Sequence, residues 1–358
     1  MKMTLRWFGP GYDNVKAEYI RQIPGVAGVI TTLYGKQAGE VWAREEIRAL
    51  KKSAMDAGLP VLGIESVNVS DAIKAGLPER DEHIDHYIQT LRALGEEGIT
   101  LVCYNFMPVF DWTRTDLAKR RPDGSAVFSY DQALIDRVDY KEAFASMKHM
   151  SGGFPLPGWE PERLGQISAL FDLYRDISQE DLFENHRYFI DALLPALRKY
   201  HIRMALHPDD PAFSVFGLPR VMTGKQNLRR ILAAVDDPLN GLTLCTGSLG
   251  TNPANDIPDI IASFAGRIHF AHIRNLLHSG PGCFEETAHL SQDGSMDMYA
   301  LIKALYESGF DGPIRPDHGR RIWGENAMPG YGLYDRALGA SYLLGLLEAI
   351  RKNGGEKA

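Results

Sequence analysis

Short apolar runs alternate with longer amphipathic stretches along most of the chain. The runs Thr4–Trp7, Gly28–Thr31, Val61–Glu65, Thr100–Tyr104, Arg203–His207, Leu242–Cys245, Ile268–Ile273 and Ile314–Asp317 are brief, and most are rich in β-branched and aliphatic residues. That is the composition of strands buried on both faces of a parallel sheet. Between them, Ile84, Tyr87, Ile88, Leu91 and Leu94 keep the i, i+3, i+4, i+7 spacing of one helical face. So do Leu182, Phe183, Phe189, Ile190, Leu193, Leu194 and Leu197, although Pro195 within this stripe is expected to kink the helix or end it early. Further helices are expected over Glu45–Asp56, Asn227–Ala234, Asp256–Phe264, Met298–Glu307 and Tyr334–Arg351. Gly58, Gly98 and Gly309 stand just past helix patterns, where a left-handed cap favours glycine.

Eight such alternations predict an α/β fold, a closed (β/α)8 barrel forming one domain over residues 1–358. A doubly wound open sheet is the alternative, but it normally carries a Gly-rich first turn, and Trp7-Phe8-Gly9-Pro10-Gly11 does not make GxGxxG. The regular spacing breaks once, after the fourth strand. Residues 105–180 form a long insertion holding Pro108, Pro122, Pro155, Pro157, Pro161, the pair Gly152-Gly153 and one helical stretch near Ala133–Met150. Because it leaves the C-terminal end of a barrel strand, it is expected to lie over the active-site mouth as a lid, with Trp112 and Arg114 reaching down to the substrate.

Composition narrows the function classes without altering this picture. With 44% hydrophobic and 24% charged residues the chain is an ordinary globular one, and a net charge of -7 gives no footprint for nucleic acid. The pairs Lys51-Lys52, Arg120-Arg121 and Arg229-Arg230 read as solvated surface, with Arg320-Arg321 set apart as a pair that could line the mouth. No segment approaches the roughly 20 apolar residues that span a bilayer, and the first residues carry no export-signal pattern. Three cysteines are too few and too odd for a disulfide framework. A cytoplasmic protein with no membrane partner is expected, and association as a dimer is the expected oligomeric state.

The chemistry lies at the ends of the last four strands. They stop on His207, Cys245, His272 and Asp317, each a metal-competent side chain at a C-terminal end. In a barrel those ends converge on one mouth. Two imidazoles, a thiolate and a carboxylate make a ligand set with room for water or substrate, suited to Mn, Fe or Zn rather than Mg or Ca. Cys103, at the fourth strand end, is assigned to packing, and His269, three residues before His272, to the opposite strand face. His83 and His86 beside Glu82 and Asp85 read as a solvated helix face, and a second metal among His278, Cys283 and His289 is not expected.

The runs Phe270-Ala271-His272-Ile273-Arg274-Asn275, Arg315-Pro316-Asp317-His318-Gly319-Arg320 and Pro329-Gly330-Tyr331-Gly332 resemble the mannonate dehydratases. Arg6-Trp7-Phe8-Gly9 and Leu244-Cys245-Thr246-Gly247-Ser248 do so too, and the likeness covers essentially the whole chain. It implies a xylose-isomerase-like TIM barrel that binds Mn²⁺, or Fe²⁺ in some members, and dehydrates D-mannonate to 2-dehydro-3-deoxy-D-gluconate in hexuronate (glucuronate) breakdown. Carried over by position, His207, Cys245, His272 and Asp317 are the ligands, and His318 and Tyr331 join Asp317 as catalytic residues.

Elimination of water from a sugar acid asks for the same groups. A Lewis acid stabilises the charge left when the α-proton goes. A base and an acid must move protons, and His318 and Tyr331 supply them in either order. Arg274 is placed to pair with the substrate carboxylate bidentately and Asn275 to bind a hydroxyl. A metal-dependent sugar isomerase or epimerase on the same barrel is the nearest rival. A zinc hydrolase and a sugar-acid binding protein with a structural metal stand further off.

Overall fold

The computed structural model describes residues 1–150 and 161–354. In chain order its strands are β1 (Lys2–Arg6), β2 (Val26–Thr31), β3 (Val61–Glu65), β4 (Leu101–Tyr104), β5 (Asp116–Arg120), β6 (Ala126–Asp131), β7 (Arg203–Leu206), β8 (Asn240–Cys245), β9 (Ile268–Ile273), β10 (Leu276–Gly280), β11 (Cys283–Glu286) and β12 (Pro313–Pro316). Eight of them pair in parallel and close a barrel in the order β1-β12-β9-β8-β7-β4-β3-β2, with β2 returning to β1. This is the (β/α)8 architecture the alternation predicts, and the eight expected runs coincide with the barrel strands except at their ends.

The amphipathic stripes explain the outer layer. The helix Arg80–Glu96 buries Ile84, Tyr87, Leu91 and Leu94, and Gln179–Tyr200 beside it buries Leu182, Phe183, Phe189, Ile190, Leu193 and Leu197. Each fully buried aliphatic side chain contributes roughly 1.5–3 kcal/mol, so one stripe outweighs any single propensity defect. Pro195 shows this. Of the two outcomes expected there, the early end does not occur; the helix runs on to Tyr200, with Ala196 and Leu197 buried beyond the proline.

The insertion departs furthest from expectation. Its early part is a hairpin, β5–β6, and β6 pairs antiparallel with β11 of a second hairpin, β10–β11, in the sheet order β10-β11-β6-β5. Turn chemistry explains both hairpins. Pro122-Asp123-Gly124 bends the first, with Gly124 at φ 83°, and Gly282 at φ 64° bends the second. Tyr130 stacks on Phe284 across the seam, ring centroids 5.3 Å apart.

The single helix expected near Ala133–Met150 is two, Gln132–Ile135 and Tyr140–Met150. The Asp139 carboxylate accepts from the Lys141 and Glu142 N–H groups and so starts the second one afresh. Gly152-Gly153, Pro155 and Pro157 lie outside the described residues.

The basic pairs are corrected in part. Arg121 is not solvated: it pairs with Glu285 and Asp293 and ties β5–β6 to the second hairpin. Arg320 is held by Asp335 and Asp123, while Arg321 bridges backbone-to-backbone with Ala126. That pair anchors the loop after β12 to β6 and does not line the mouth.

Candidate active site

Register brings the strand-end residues together. Cys245 of β8 sits opposite His272 of β9, and His272 sits opposite Arg315 of β12, two residues before Asp317. The donor atoms of His207, Cys245 and His272 all lie within 4.8 Å of one another. Asp317 joins them, Oδ2 lying 3.5 Å from Cys245 Sγ and Oδ1 4.0 Å from His272 Nδ1.

Outer contacts decide which imidazole nitrogen is free. His207 Nδ1 donates to the Pro208 carbonyl at 2.7 Å, which leaves the Nε2 lone pair facing His272 Nδ1 at 3.2 Å. His272 Nε2 lies 3.4 Å from Glu65 Oε2. Burial alone would raise the Glu65 carboxyl, but Arg315 and Arg6 outweigh it and hold it well below the usual range. The ionised carboxylate therefore draws the Nε2–H, and the Nδ1 lone pair turns inward. Two imidazole lone pairs, a sulfur and a carboxylate thus converge, each imidazole backed by an acceptor, as in metal sites. This donor set fits a divalent transition metal.

Glu65, the C-terminal residue of β3, was not singled out from the sequence. A carboxylate closing a buried strand is the signal that could have found it. Cys103 packs behind, within 4.8 Å of Glu65 and His272 donor atoms. Burial and the Glu65 charge push its thiol well up, as befits a core residue.

A second cluster adjoins the first. His318 Nε2 lies 3.1 Å from the Tyr331 hydroxyl, and His318 Nδ1 lies 3.0 and 3.1 Å from the two Glu286 carboxylate oxygens. Gly330, at φ 78°, lets the loop after β12 approach: a Cβ there would stand 3.3 Å from His318 Cγ and 3.1 Å from Phe128. Burial pushes the Tyr331 phenol up to about 12, so it keeps its proton. Both side chains line an open pocket of ≈ 1030 Å³, solvent mouth included, shared with His207, Asp317 and Trp112.

A family model described as D-mannonate dehydratase (UxuA) matches residues 1–357. The chain belongs to the D-mannonate dehydratase family. A mannonate dehydratase of Brachyspira hyodysenteriae is 61% identical over 354 residues, covering 99% of this chain and 100% of the relative. That of Geobacillus thermodenitrificans is 52% identical over 363 residues, covering 100% and 98%. The crystal structure of mannonate dehydratase from Streptococcus suis serotype2 superposes with a TM-score of 0.91 at 43% identity, covering 100% of this chain and 97% of that one. A D-tagatose 3-epimerase-like protein, at 12% identity and a TM-score of 0.55, shares the barrel fold alone. The enzyme class is thereby a hydro-lyase acting on a small sugar acid, and the isomerase, hydrolase and binding-protein alternatives fall away.

Among the mannonate dehydratase residues expected at the substrate, Trp112 lines the pocket, stacked 5.3 Å from Phe128. Three others are corrected. Arg274 is not a free bidentate clamp. It lines the pocket, but Nη1 donates to Glu286 at 3.0 Å and Nη2 to Asp210 at 2.8 Å. Arg114 is fully buried on the same two carboxylates and is not among the residues lining this pocket. Asn275 spends its amide on the Leu290 carbonyl and its oxygen on the Leu276 and Met296 N–H groups, so it pins a loop.

Two buried arginines against two buried carboxylates balance one another's charge, although Arg274 Nε makes no hydrogen bond among the described residues. Burial would raise Glu286, but His318, Arg274 and Arg114 bring it down to about 2. Asp210 and Glu286 carry no sequence signal, since both stand in or next to loops whose course periodicity does not describe.

The histidines need one more correction. His83 and His86 are not a solvated face: Nδ1 of each bonds inward, to Ser70 Oγ at 2.8 Å and the Gly39 carbonyl at 2.9 Å, and His83 lines the pocket. His269 is buried against the Met204 carbonyl at 2.9 Å, as a structural histidine.

Proposed function

We propose that His207, Cys245, His272 and Asp317 hold Mn²⁺, or Fe²⁺ in its place, and that His318 and Tyr331 move the protons of mannonate dehydration beside it. The observation that carries this is the convergence of the four donors next to a histidine–tyrosine pair 3.1 Å apart, with His207 and Asp317 of the four lining the same pocket as that pair. When bound, the ion supplies Lewis-acid stabilisation for the negative charge that develops on the substrate carboxylate.

The chain's own residues account for the rest. His318 Nε2 accepts the proton from C2 of D-mannonate. Tyr331, which keeps its proton, donates it to the hydroxyl leaving C3 as water. The enol that remains tautomerises to 2-dehydro-3-deoxy-D-gluconate. Arg6, Arg274 and Arg315 all line the pocket, each ion-paired to a carboxylate yet with a buried Nε that hydrogen-bonds nothing among the described residues, and together they supply positive potential for the substrate carboxylate. Trp112 forms an apolar wall against the sugar chain.

Residues 105–180 are proposed to act as a lid, since Asn105, Met107, Asp111 and Trp112 already line the pocket. Trp323, 74% exposed and in ring contact with Tyr334, supports association as a dimer. The three unpaired cysteines suit a reducing, cytoplasmic setting. No helix among the described residues is long and apolar enough to cross a membrane.

Chelator-stripped protein incubated with D-mannonate should be inactive, and adding Mn²⁺ or Fe²⁺ should restore the 2-keto-3-deoxy product. Full activity in the stripped protein, with metal content verified as zero, would overturn the metal assignment. A light-scattering mass of one chain would overturn the dimer.

A further inference from the structure

Glu286 ends β11, in the hairpin added to the barrel rather than in the barrel itself. It nevertheless reaches the loop after β12 and meets His318 with both carboxylate oxygens. Three elements hold it there. Arg114 of the insertion donates at 2.8 Å and Arg274, beyond β9, at 3.0 Å, while His318 closes the third side. All four side chains are buried. An ionised carboxylate so placed accepts hydrogen bonds and donates none, so the ring nitrogen facing it is the one that carries hydrogen.

We infer that Glu286 is a positioning residue for the dehydration: it fixes His318 in the Nδ1–H form, with the Nε2 lone pair turned to Tyr331 and the pocket. The inference rests on the proposed role of His318 as base. One close contact competes with it. Arg274 Nη1 stands 2.8 Å from the same Nδ1 and could in principle donate to it. One of its two hydrogens goes to the charged Glu286 Oε1 at 3.0 Å, and the Asp317 carboxylate, an ion-pair partner at 3.4 Å, competes for the other. A lone pair on Nδ1 would also face two carboxylate oxygens and be repelled. The two Glu286 oxygens against the one guanidinium nitrogen thus favour the proton on Nδ1, which leaves Nε2 to accept one. The insertion, through Arg114, and the added sheet, through Glu286, thus set the ring orientation of a residue in the loop after β12.

The test is a double-mutant cycle in manganese-loaded enzyme. Glu286→Gln keeps the shape and removes the charge. kcat should fall by about 10–100-fold, the usual range for losing an outer partner of a functional imidazole, with manganese content unchanged. KM should stay within about threefold, since substrate contacts are intact. In a His318→Asn background the same change should cost almost nothing, because its target is gone. Glu286→Asp, which keeps the charge, should recover part of the loss.

Equal losses in both backgrounds would make Glu286 merely structural and overturn the inference. Near-wild-type turnover of Glu286→Gln, while His318→Asn is inactive, would overturn it and leave His318 as base. An active His318→Asn enzyme would instead sink the reading of His318 itself. If the Gln variant does not fold, ¹H–¹⁵N correlations of histidine-labelled, zinc-loaded wild type decide. The His318 signal, assigned by its loss in His318→Asn, should show the Nδ1–H pattern. An Nε2–H pattern overturns the inference.

Discussion

The two halves of the site are built by different means. The proposed ligand cluster sits at the ends of barrel strands, where neighbours are set by register: Cys245 opposes His272, and His272 opposes Arg315. The His318 cluster draws Glu286 from a hairpin, Arg114 from an insertion and Tyr331 from a loop. Backbone hydrogen bonds place the first half, and Arg315, paired with Asp317 and Glu65, adds a buried charge to it. Paired buried charges hold the second, where Arg114 and Arg274 share Asp210 and Glu286. A buried pair of this kind is costly to break from one side, because the partner is left as an uncompensated charge. The strand-built half should therefore fail through lost metal, and the loop-built half through lost geometry with the metal in place.

The largest effect separates them at once. Cys245→Ala or Asp317→Asn should reduce both manganese content and turnover by more than about 100-fold, beyond the range for losing an outer partner. Metal analysis that finds a full complement in either variant would break the comparison. Next, His318→Asn should keep its metal yet lose at least about 10²-fold in kcat, the lower end for acid–base catalysis. Loss of metal there would move His318 into the first half. Tyr331→Phe should fall by a similar order, about 10²-fold, with KM little changed; wild-type turnover would remove it from the mechanism.

Gly247 probes the seam between the halves. A Cβ at this position would stand 1.9 Å from Arg274 Nε, so Gly247→Ala must push the guanidinium off its carboxylates. Overpacking of this kind costs about 1–3 kcal/mol. The melting temperature should fall and kcat with it, and an unchanged melting curve would show that Arg274 has room to move.

The smallest effect is a pH dependence. Glu286 is brought from 4.5 down to about 2, burial opposing and His318, Arg274 and Arg114 prevailing. A depressed carboxyl gives stability that is complete above the unfolded value and drains as pH falls through the folded one. Between pH 4.5 and 2 the wild type should therefore lose more stability than Glu286→Gln, as read by thermal melts. Parallel losses would show that the loop-built half is not held by that charge.

Much of the first half was legible before folding. Short aliphatic runs ending on His207, Cys245, His272 and Asp317 announce both the barrel and the donors, because parallel strands of a barrel end on one face. Glu65 obeys the same rule at the end of β3, but no second metal-competent residue closes the strand beside it in sequence to mark it. The added sheet left a local trace, the Pro122-Asp123-Gly124 turn, yet β5 and β6 lack the aliphatic runs of the barrel strands. Arg114, Arg274 and Asn275 were misread for a different reason. A charged or amide side chain near a strand end looks available to substrate until its neighbours are known, and Glu286 lies 172 residues from Arg114.

By itself, then, the sequence determined the barrel, the helices packed around it with amphipathic stripes and the four strand-end side chains proposed as donors, since aliphatic runs mark the buried strands whose ends share a mouth and the 3.6 period marks which side chains share a helix face. Only the tertiary structure decided which polar groups were already spoken for. Whether a buried arginine meets substrate or a carboxylate depends on contacts between segments far apart in the chain, and no local pattern encodes these. Glu286 against His318 is the clearest case: two residues, each ordinary in sequence, whose meeting gives one imidazole nitrogen its proton and leaves the other free to accept.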